Sequence, residues 1–263
     1  MRYCSSFLQE IYVRGRPKKI WNDNGSSNEE ELQDILRSTL MIRRLKKDVL
    51  PQLPKKVRQI IEIENNEDSV KHESNKFESL CNSLGYDEAL KALNEGSPVI
   101  FNEMAGERQS VALSKIPFVI EHVENLLLSE KKVVLFAHHR SIVDQLMAGL
   151  KTYNPVKVVG GMTEKAKNES VVAFQNDPEC RIFVGNIQAA GVGLTLTASS
   201  TVVFAELDMV PSTMSQAEDR CCRIGATADS ILVQHIVLNG SLDVKLARML
   251  VKKQEVADLI LDI

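Results

Sequence analysis

Residues 132–140 read KVVLFAHHR. The run Val133 to Ala137 is short, apolar and without alternation, which marks a strand covered on both faces. It leads into His138, His139 and Arg140, where a helical pattern, SIVDQLMAGL, begins. The same unit recurs outward in both directions. Upstream, Ile116, Val119, Ile120, Val123, Leu126 and Leu127 repeat at helical spacing over residues 115–129. Downstream come VKVV, the pair Gly160 and Gly161, a helix over 163–175, the strand RIFVGN, a glycine-bearing loop, the strand TVVFAE, a helix over 216–223 and the strand ILVQHIVL. Buried strands separated by helices predict a largely parallel sheet covered on both sides, a three-layer α/β domain over residues 97–263.

The chain before this domain has a different texture. Residues 1–28 are polar, carry the basic cluster Arg14, Arg16, Lys18 and Lys19, and end in NDNGSSN, which suits a loop or a helix cap more than a strand. From Glu29 to Leu50 the apolar residues Leu32, Ile35, Leu36, Leu40, Leu45 and Val49 predict an amphipathic helix, stopped by Pro51 and Pro54. VRQIIEIE then reads as a strand. Residues 66–95 are polar and helix-prone, and Ser97-Pro98 marks a break.

Composition narrows the class. With 44% hydrophobic and 25% charged residues in 263, the chain is neither collagen, nor a low-complexity polymer, nor wholly disordered. Thirty-two basic against 35 acidic residues, a net charge of -3, excludes a histone-like polycation and leaves nucleic-acid binding to a local patch. The five cysteines are scattered without a C-x-x-C pair, so reduced thiols and no metal site are expected. No stretch approaches the roughly 18 apolar residues that span a bilayer, and no secretory leader is evident, so the expected location is cytoplasmic, or wherever nucleic acid is kept.

In parallel sheets, ligands gather at loops after the carboxyl ends of strands, and four such loops stand out. His138-His139-Arg140 opens a helix, where backbone N–H groups and the helix dipole favour a phosphate; an exposed helix start is the plainer reading. Gly160-Gly161-Met162-Thr163 offers glycines that allow backbone approach, with Thr163 placed to cap a helix or touch a phosphate, capping being the safer expectation. In GNIQAAGVGLTLTAS, residues 185–199, Gly191 and Gly193 fit a tight turn but complete neither a dinucleotide fingerprint nor a P-loop. SQAEDRCCRIG places Arg220 and Arg223 three apart on an expected helix, on one face, with Gln216 a turn earlier. Such arginines either make surface salt bridges or meet the charge that develops over several oxygens of a transferring phosphoryl group.

The order of these motifs, FAHHR, then GGMTEKAKNESVVAFQND, then GNIQAAGVGLTLTASSTVVFAELDMVPSTMSQAEDRCCRIG, resembles the second RecA-like lobe of Swi/Snf-family ATP-dependent DNA translocases. The resemblance leans to the annealing-helicase and fork-remodeler branch. Upstream, SSNEEELQDILRSTLMIRRLKKDVLPQLPKKVRQ looks like the segment by which that family passes from lobe one to lobe two. It implies residues 1–60 as the tail of lobe one and linking helix, 61–96 as a helical protrusion, and 97–263 as a RecA-like helicase C-terminal lobe. It also implies arginine fingers at Arg220 and Arg223, an ATP cleft lined by Gly191, Gly193, Gln216 and Asp219, and sequence-independent contacts to DNA phosphates from His139, Arg140, Gly161, Thr163, Asn186 and Gln188. The sequence departs from the family pattern at Cys222 and Ala226, where histidine and glutamine are usual, and at Met209, where an aromatic is common. The basic run Arg43, Arg44, Lys46, Lys47, Lys55, Lys56, Arg58 either attracts DNA or is a solvated face. An RNA-directed helicase lobe and a non-catalytic binding lobe are the rival readings.

The family's engine needs a lysine-bearing phosphate loop and an acidic box for magnesium, and neither is found in these residues; Asp87-Glu88-Ala89-Leu90 is an accidental likeness in a polar stretch. ATP and Mg²⁺ would then be held only by the complete two-lobe protein, with lobe one as partner and no membrane involved. The expected outcome is that the 263-residue chain alone hydrolyses ATP no faster than buffer, with or without DNA. A steady-state phosphate-release assay checks this.

Overall fold

The computed structural model describes residues 4–13, 16–26, 34–35, 38–39, 50, 53–64, 98–190, 193–208, 211–241, 243–244 and 247. They form two compact units, Met1–Gln52 and Leu53–Ile263.

The first unit is a β-hairpin. Strand β1 (Cys4–Val13) pairs antiparallel with β2 (Arg16–Ser26), from Val13 opposite Arg16 out to Cys4 opposite Ser26, with an irregularity between Ser5 and Phe7. This corrects the expectation of a loop or helix cap at NDNGSSN as far as Ser26. The turn-forming letters of Asn22 to Ser26 are overridden by cross-strand pairing. The signal was present in the β-formers Ile11-Tyr12-Val13 and Ile20-Trp21 on either side of Arg14-Gly15. Of the helix expected over 29–50, Asp34, Ile35, Ser38 and Thr39 are described and helical, and Thr39 Oγ1 donates to the Ile35 carbonyl at 2.5 Å. Leu50, the expected last residue of that helix, is not helical; the rest of it, including Arg43, Arg44, Lys46 and Lys47, and the polar stretch 66–95 lie outside the described residues.

The second unit is built on a six-stranded sheet whose neighbouring strands all run parallel. It comprises β3 (Lys55–Ile63), β4 (Val133–Ala137), β5 (Val156–Val158), β6 (Ile182–Asn186), β7 (Thr201–Phe204) and β8 (Ser230–Leu238), in the order β3-β8-β7-β4-β6-β5. Because β3 pairs with β8 along its whole length, the sheet draws on residues well ahead of 97. Alternate strand residues face two separate cores. Val133, Leu135 and Ala137, with Ile182, Val184, Val203 and Ile236, pack under the helices α1 (Pro98–Leu126) and α2 (Arg140–Gly149). Val134, Phe136, Phe183, Val202, Phe204 and Val233 face α3 (Glu164–Asn176) and α5 (Pro211–Glu218) on the other side. The short α4 (Ile187–Ala190) follows β6 directly. A three-layer α/β architecture results, as the apolar runs predict. Among the described residues no helix is long and apolar enough to cross a membrane.

One buried charge fastens α1 to the sheet. Lys115 is 1% exposed; its Nζ donates to the Ala205 and Ile236 carbonyls at 2.6 and 2.9 Å and pairs with Asp243 Oδ2 at 2.5 Å. The ammonium thus joins the segment after β7, the last residues of β8 and the segment beyond it. Replacing Lys115 by methionine keeps the stem but leaves Asp243 and two carbonyls without their cation. Urea unfolding is expected to show a loss of about 3–5 kcal/mol, against roughly 1 or less if the charge were merely superficial.

Candidate functional site

The carboxyl ends of β4, β5 and β6 carry the first group of candidate residues. At β4 the helix start is occupied from within: the backbone N–H groups of His138 and His139 donate to Glu206 Oε2, both at 2.8 Å, and His139 Nδ1 lies 2.6 Å from Glu206 Oε1. Burial alone would raise the pKa of Glu206, but the bonds from His139 and His138 hold it below the usual carboxylate range. A protein carboxylate therefore takes the anion position expected for a phosphate at His139, while Arg140 is exposed beside it. Glu206 went unremarked in the sequence because nothing local pairs it with residues 67 positions away.

Asn186 is likewise engaged. Its Oδ1 accepts from the Gln188 and Ala189 N–H groups at 3.1 and 3.2 Å, capping α4, and its Nδ2 donates to the His138 carbonyl. Gln188 itself is exposed. Thr163 caps α3, accepting from Ala166 N–H at 3.3 Å, as the sequence argued. Gly161 and Gly193 adopt φ of 83° and 74°, and a Cβ built at either would meet nothing within 4 Å, so left-handed backbone rather than crowding demands glycine there. Gly191 lies outside the described residues, as does Met209.

The two arginines depart from expectation in both conformation and place. Helix α5 ends at Glu218, so Arg220 and Arg223 share no helical face; they sit in the tightened turns that follow, with Arg220 N–H bonded to the Ala217 carbonyl, Cys221 N–H to Glu218 and Ala226 N–H to Arg223. Cys221 and Cys222 are both buried in these turns. Nor does the turn lie after a carboxyl strand end. Cys222 Sγ reaches the Pro54 carbonyl at 3.3 Å, and Lys55 N–H donates to Asp229 at 3.2 Å, which ties it to the amino-terminal end of β3. Cys222, standing where the family usually has histidine, is a packing residue here.

Within this turn Arg223 Nη1 donates to Thr195 Oγ1 at 3.1 Å, and the Arg220 carbonyl accepts from Leu196 N–H at 2.9 Å, which joins the turn to the segment behind Gly193. Arg220 is 8% exposed; burial and the adjacent Arg223 charge both push its pKa down, against Asp219. The carboxylates beside the turn are held by β3. Glu218, 2% exposed, receives Arg58 Nη2 at 2.6 Å, Arg58 Nε at 3.1 Å and Lys56 Nζ at 3.1 Å, while Lys56 also pairs with Asp219 at 2.7 Å. Burial would raise the Glu218 pKa, but the Arg58 bonds and Lys56 charge pull it below its ordinary value. Lys56 and Arg58 of that basic run therefore pair with acids of this lobe, with Arg58 remaining half-exposed. Gln216, from the same cleft assignment, is exposed on α5.

With this geometry in place, comparison with known proteins is informative. The Helicase conserved C-terminal domain family matches residues 115–225. The human "DNA annealing helicase and endonuclease ZRANB3" is 34% identical over 260 residues, covering 97% of this chain and 23% of that protein. A Drosophila melanogaster "SWI/SNF-related matrix-associated actin-dependent regulator of chromatin subfamily A-like protein 1" is 32% identical over 239 residues, 90% of this chain and 30% of that one. The solved "Sulfolobus solfataricus SWI2/SNF2 ATPase core in complex with dsDNA" shares the fold with a TM-score of 0.60 at 22% identity, over 88% of this chain and 52% of that one. The chain therefore carries a RecA-like helicase C-terminal domain. It is homologous to the SWI2/SNF2-family ATPases, and it spans about a quarter of the length of the ZRANB3 proteins it matches.

The ionisable groups around the arginine turn give a test. His235 stacks on Phe204, centroids 5.0 Å apart, with Nε2 4.0 Å from Glu218 Oε1. Burial lowers its pKa to about 4, with Arg58 acting the same way against Glu218. The unfolded chain, with histidine near 6.5, then binds the extra proton first, so stability is complete above that pH and falls between about 6.5 and 4. Urea midpoints measured across this window are expected to fall in the native chain and to lose that component in His235→Phe; an unchanged slope in the variant would assign the effect elsewhere.

Proposed function

We propose that this chain is the second motor lobe of an ATP-dependent translocase on double-stranded DNA, working with a first lobe that holds the nucleotide. The observation that carries the reading is a pair of guanidiniums, one of them buried, set within one short turn so that each feels the other's charge. Holding like charges together costs free energy that an anion relieves, and the planar donor fork of arginine fits a phosphoryl group as lysine does not. ATP fits that demand. When bound with Mg²⁺ it supplies the γ-phosphoryl group to be transferred to water; the magnesium ligands belong to lobe one in this reading. Arg220 and Arg223 would meet the terminal phosphate across the cleft, with the Gly193 backbone, Gln216 and Asp219 along its wall and Thr195 orienting Arg223.

DNA would lie against the other group. Arg140, Gly161, Thr163 and Gln188 are exposed after β4, β5 and β6, where short polar side chains and backbone amides suit phosphates and read no base edges. His139 and Asn186 serve this surface by holding its loops through Glu206, Gln188 and Ala189. Sequence independence follows, along with affinity that falls as salt rises. The relatives' printed names, one an annealing helicase and one a chromatin regulator, accord with such a motor.

The test uses the complete two-lobe protein. Arg220→Ala and Arg223→Ala are each expected to leave DNA binding and thermal unfolding nearly intact while lowering DNA-stimulated ATP turnover by about 10³, with lysine rescuing poorly. Full turnover in both alanine variants contradicts the assignment.

A further inference from the structure

Helix α2 starts at Arg140 behind an N-cap residue, His139, whose side chain makes no cap bond of its own. Its loop is held instead from the segment Ala205 to Asp208, which follows β7, by the buried carboxylate of Glu206. The carbonyls on either side of that residue are fixed by buried cations of α1: Lys115 Nζ donates to Ala205 at 2.6 Å and Arg108 Nη2 to Leu207 at 2.5 Å. Ala205 N–H donates to the Phe136 carbonyl at 2.9 Å, prolonging the contact between β7 and β4. The far end of the segment faces another neighbourhood. Asp208 N–H lies 3.3 Å from Met214 Sδ on α5, and buried Leu207 belongs to one core cluster with Met214, Ala217 and Cys221. The Ala217 carbonyl in turn accepts from Arg220 N–H at 3.1 Å. One short segment thus grips the loop assigned to DNA with one side chain and packs with the helix that leads into the arginine turn.

We propose that Glu206 is a positioning residue through which DNA at the loop after β4 acts on the arginine turn. The inference rests on the DNA and phosphate readings above and adds to them the route between the two regions. A carboxylate bonded to three nitrogens of His138 and His139 is a stiff link, because a shift of the loop either carries Glu206 along or leaves buried donors and a charge unmatched. Glu206 has little room to yield locally, since Ala205 and Leu207 are pinned on either side. A displacement therefore passes to Leu207 and Met214, and close packing hands it on to Ala217 and Cys221. Phosphate seated at Arg140 brings negative charge to the loop that this carboxylate holds, which is the push the link would carry. A residue that merely shaped the loop would matter for DNA affinity alone.

The test separates the two roles by titrating duplex DNA into the two-lobe protein while ATP turnover is followed. Glu206→Gln keeps the side chain's size but offers one acceptor oxygen and turns an amide nitrogen toward a donor. It is expected to lower turnover at saturating DNA by about 10-fold, an ordinary size for coupling between sites, and added DNA does not restore it. Full turnover once DNA saturates, with only the half-saturating concentration raised, overturns the proposal, as does a titration identical to that of the native protein. If Glu206→Gln does not fold, His139→Phe removes the ring from Glu206, keeps both backbone bonds, and is expected to show the same loss at saturating DNA; its absence overturns the proposal equally. Hydrogen exchange supplies a readout that needs no variant. The Leu196, Cys221 and Ala226 amides, bonded to Arg220, Glu218 and Arg223, are expected to exchange more slowly in the native two-lobe protein when duplex DNA is bound, and to lose that response in Glu206→Gln. Exchange at these amides that ignores DNA in the native protein, or responds equally in the variant, contradicts the link. Native turnover that DNA does not stimulate, or full turnover in Arg220→Ala and Arg223→Ala, fails the motor reading first and the link with it.

Discussion

A carboxylate shielded from water must find cations or give up its charge. Glu218 finds Arg58 and Lys56, and this single need fixes much of the lobe's geometry around it. It holds the edge strand β3 against the end of α5, next to the backbone that carries Arg220 and Arg223. Exposed Val57 and Ile60 show how little of β3 is secured by apolar burial. Its hold on the rest comes from pairing with β8, from Ile61 and Ile63 against the core and from this ionic contact. His235, stacked on Phe204 and pushed by burial toward neutrality, adds no competing cation beside the same carboxylate at neutral pH.

The lobe therefore has two working regions with different chemistry. The carboxyl ends of β4, β5 and β6 present short polar side chains and loops braced by internal capping, with Glu206 and Asn186 satisfying donors that would otherwise seek a ligand. The arginine turn, tied to the amino-terminal end of β3, holds positive charge in a place where water screens it poorly. The first region suits a long, repetitive anion gripped weakly at many points. The second suits one compact anion met by few groups. On the proposed reading a motor that steps along a polymer by consuming a nucleoside triphosphate needs both, and the sheet between them, with an apolar core on each face, joins them.

Much of this was legible in the sequence for a physical reason: strands covered on both faces must be apolar throughout, so KVVLFA, RIFVGN and TVVFAE announce themselves and the helices between them fix the parallel order. Thr163 as a cap was equally readable, because capping is local. What escaped was non-local. Glu206 and His139 are 67 residues apart, and Arg58 and Glu218 are 160 apart, so neither pairing leaves a trace in any window of sequence. The end of α5 was misplaced because a three-residue spacing of Arg220 and Arg223 suits a helix and the tightened turns after Glu218 alike. The hairpin was missed because polar residues masked its β-formers, and strand pairing outweighed the turn letters of Asn22 to Ser26.

The central claim is that Arg220 and Arg223 meet the terminal phosphate in the complete two-lobe protein. A crystal structure of the two-lobe protein with Mg²⁺, ADP and aluminium fluoride tests it most directly. The account predicts Arg220 and Arg223 guanidinium nitrogens within about 3 Å of the fluoride that stands in for the transferring phosphoryl group, with Arg58 and Lys56 still on Glu218 and Asp219. Guanidiniums of Arg220 and Arg223 paired instead with Glu218 and Asp219, or turned away from the cleft, would contradict it.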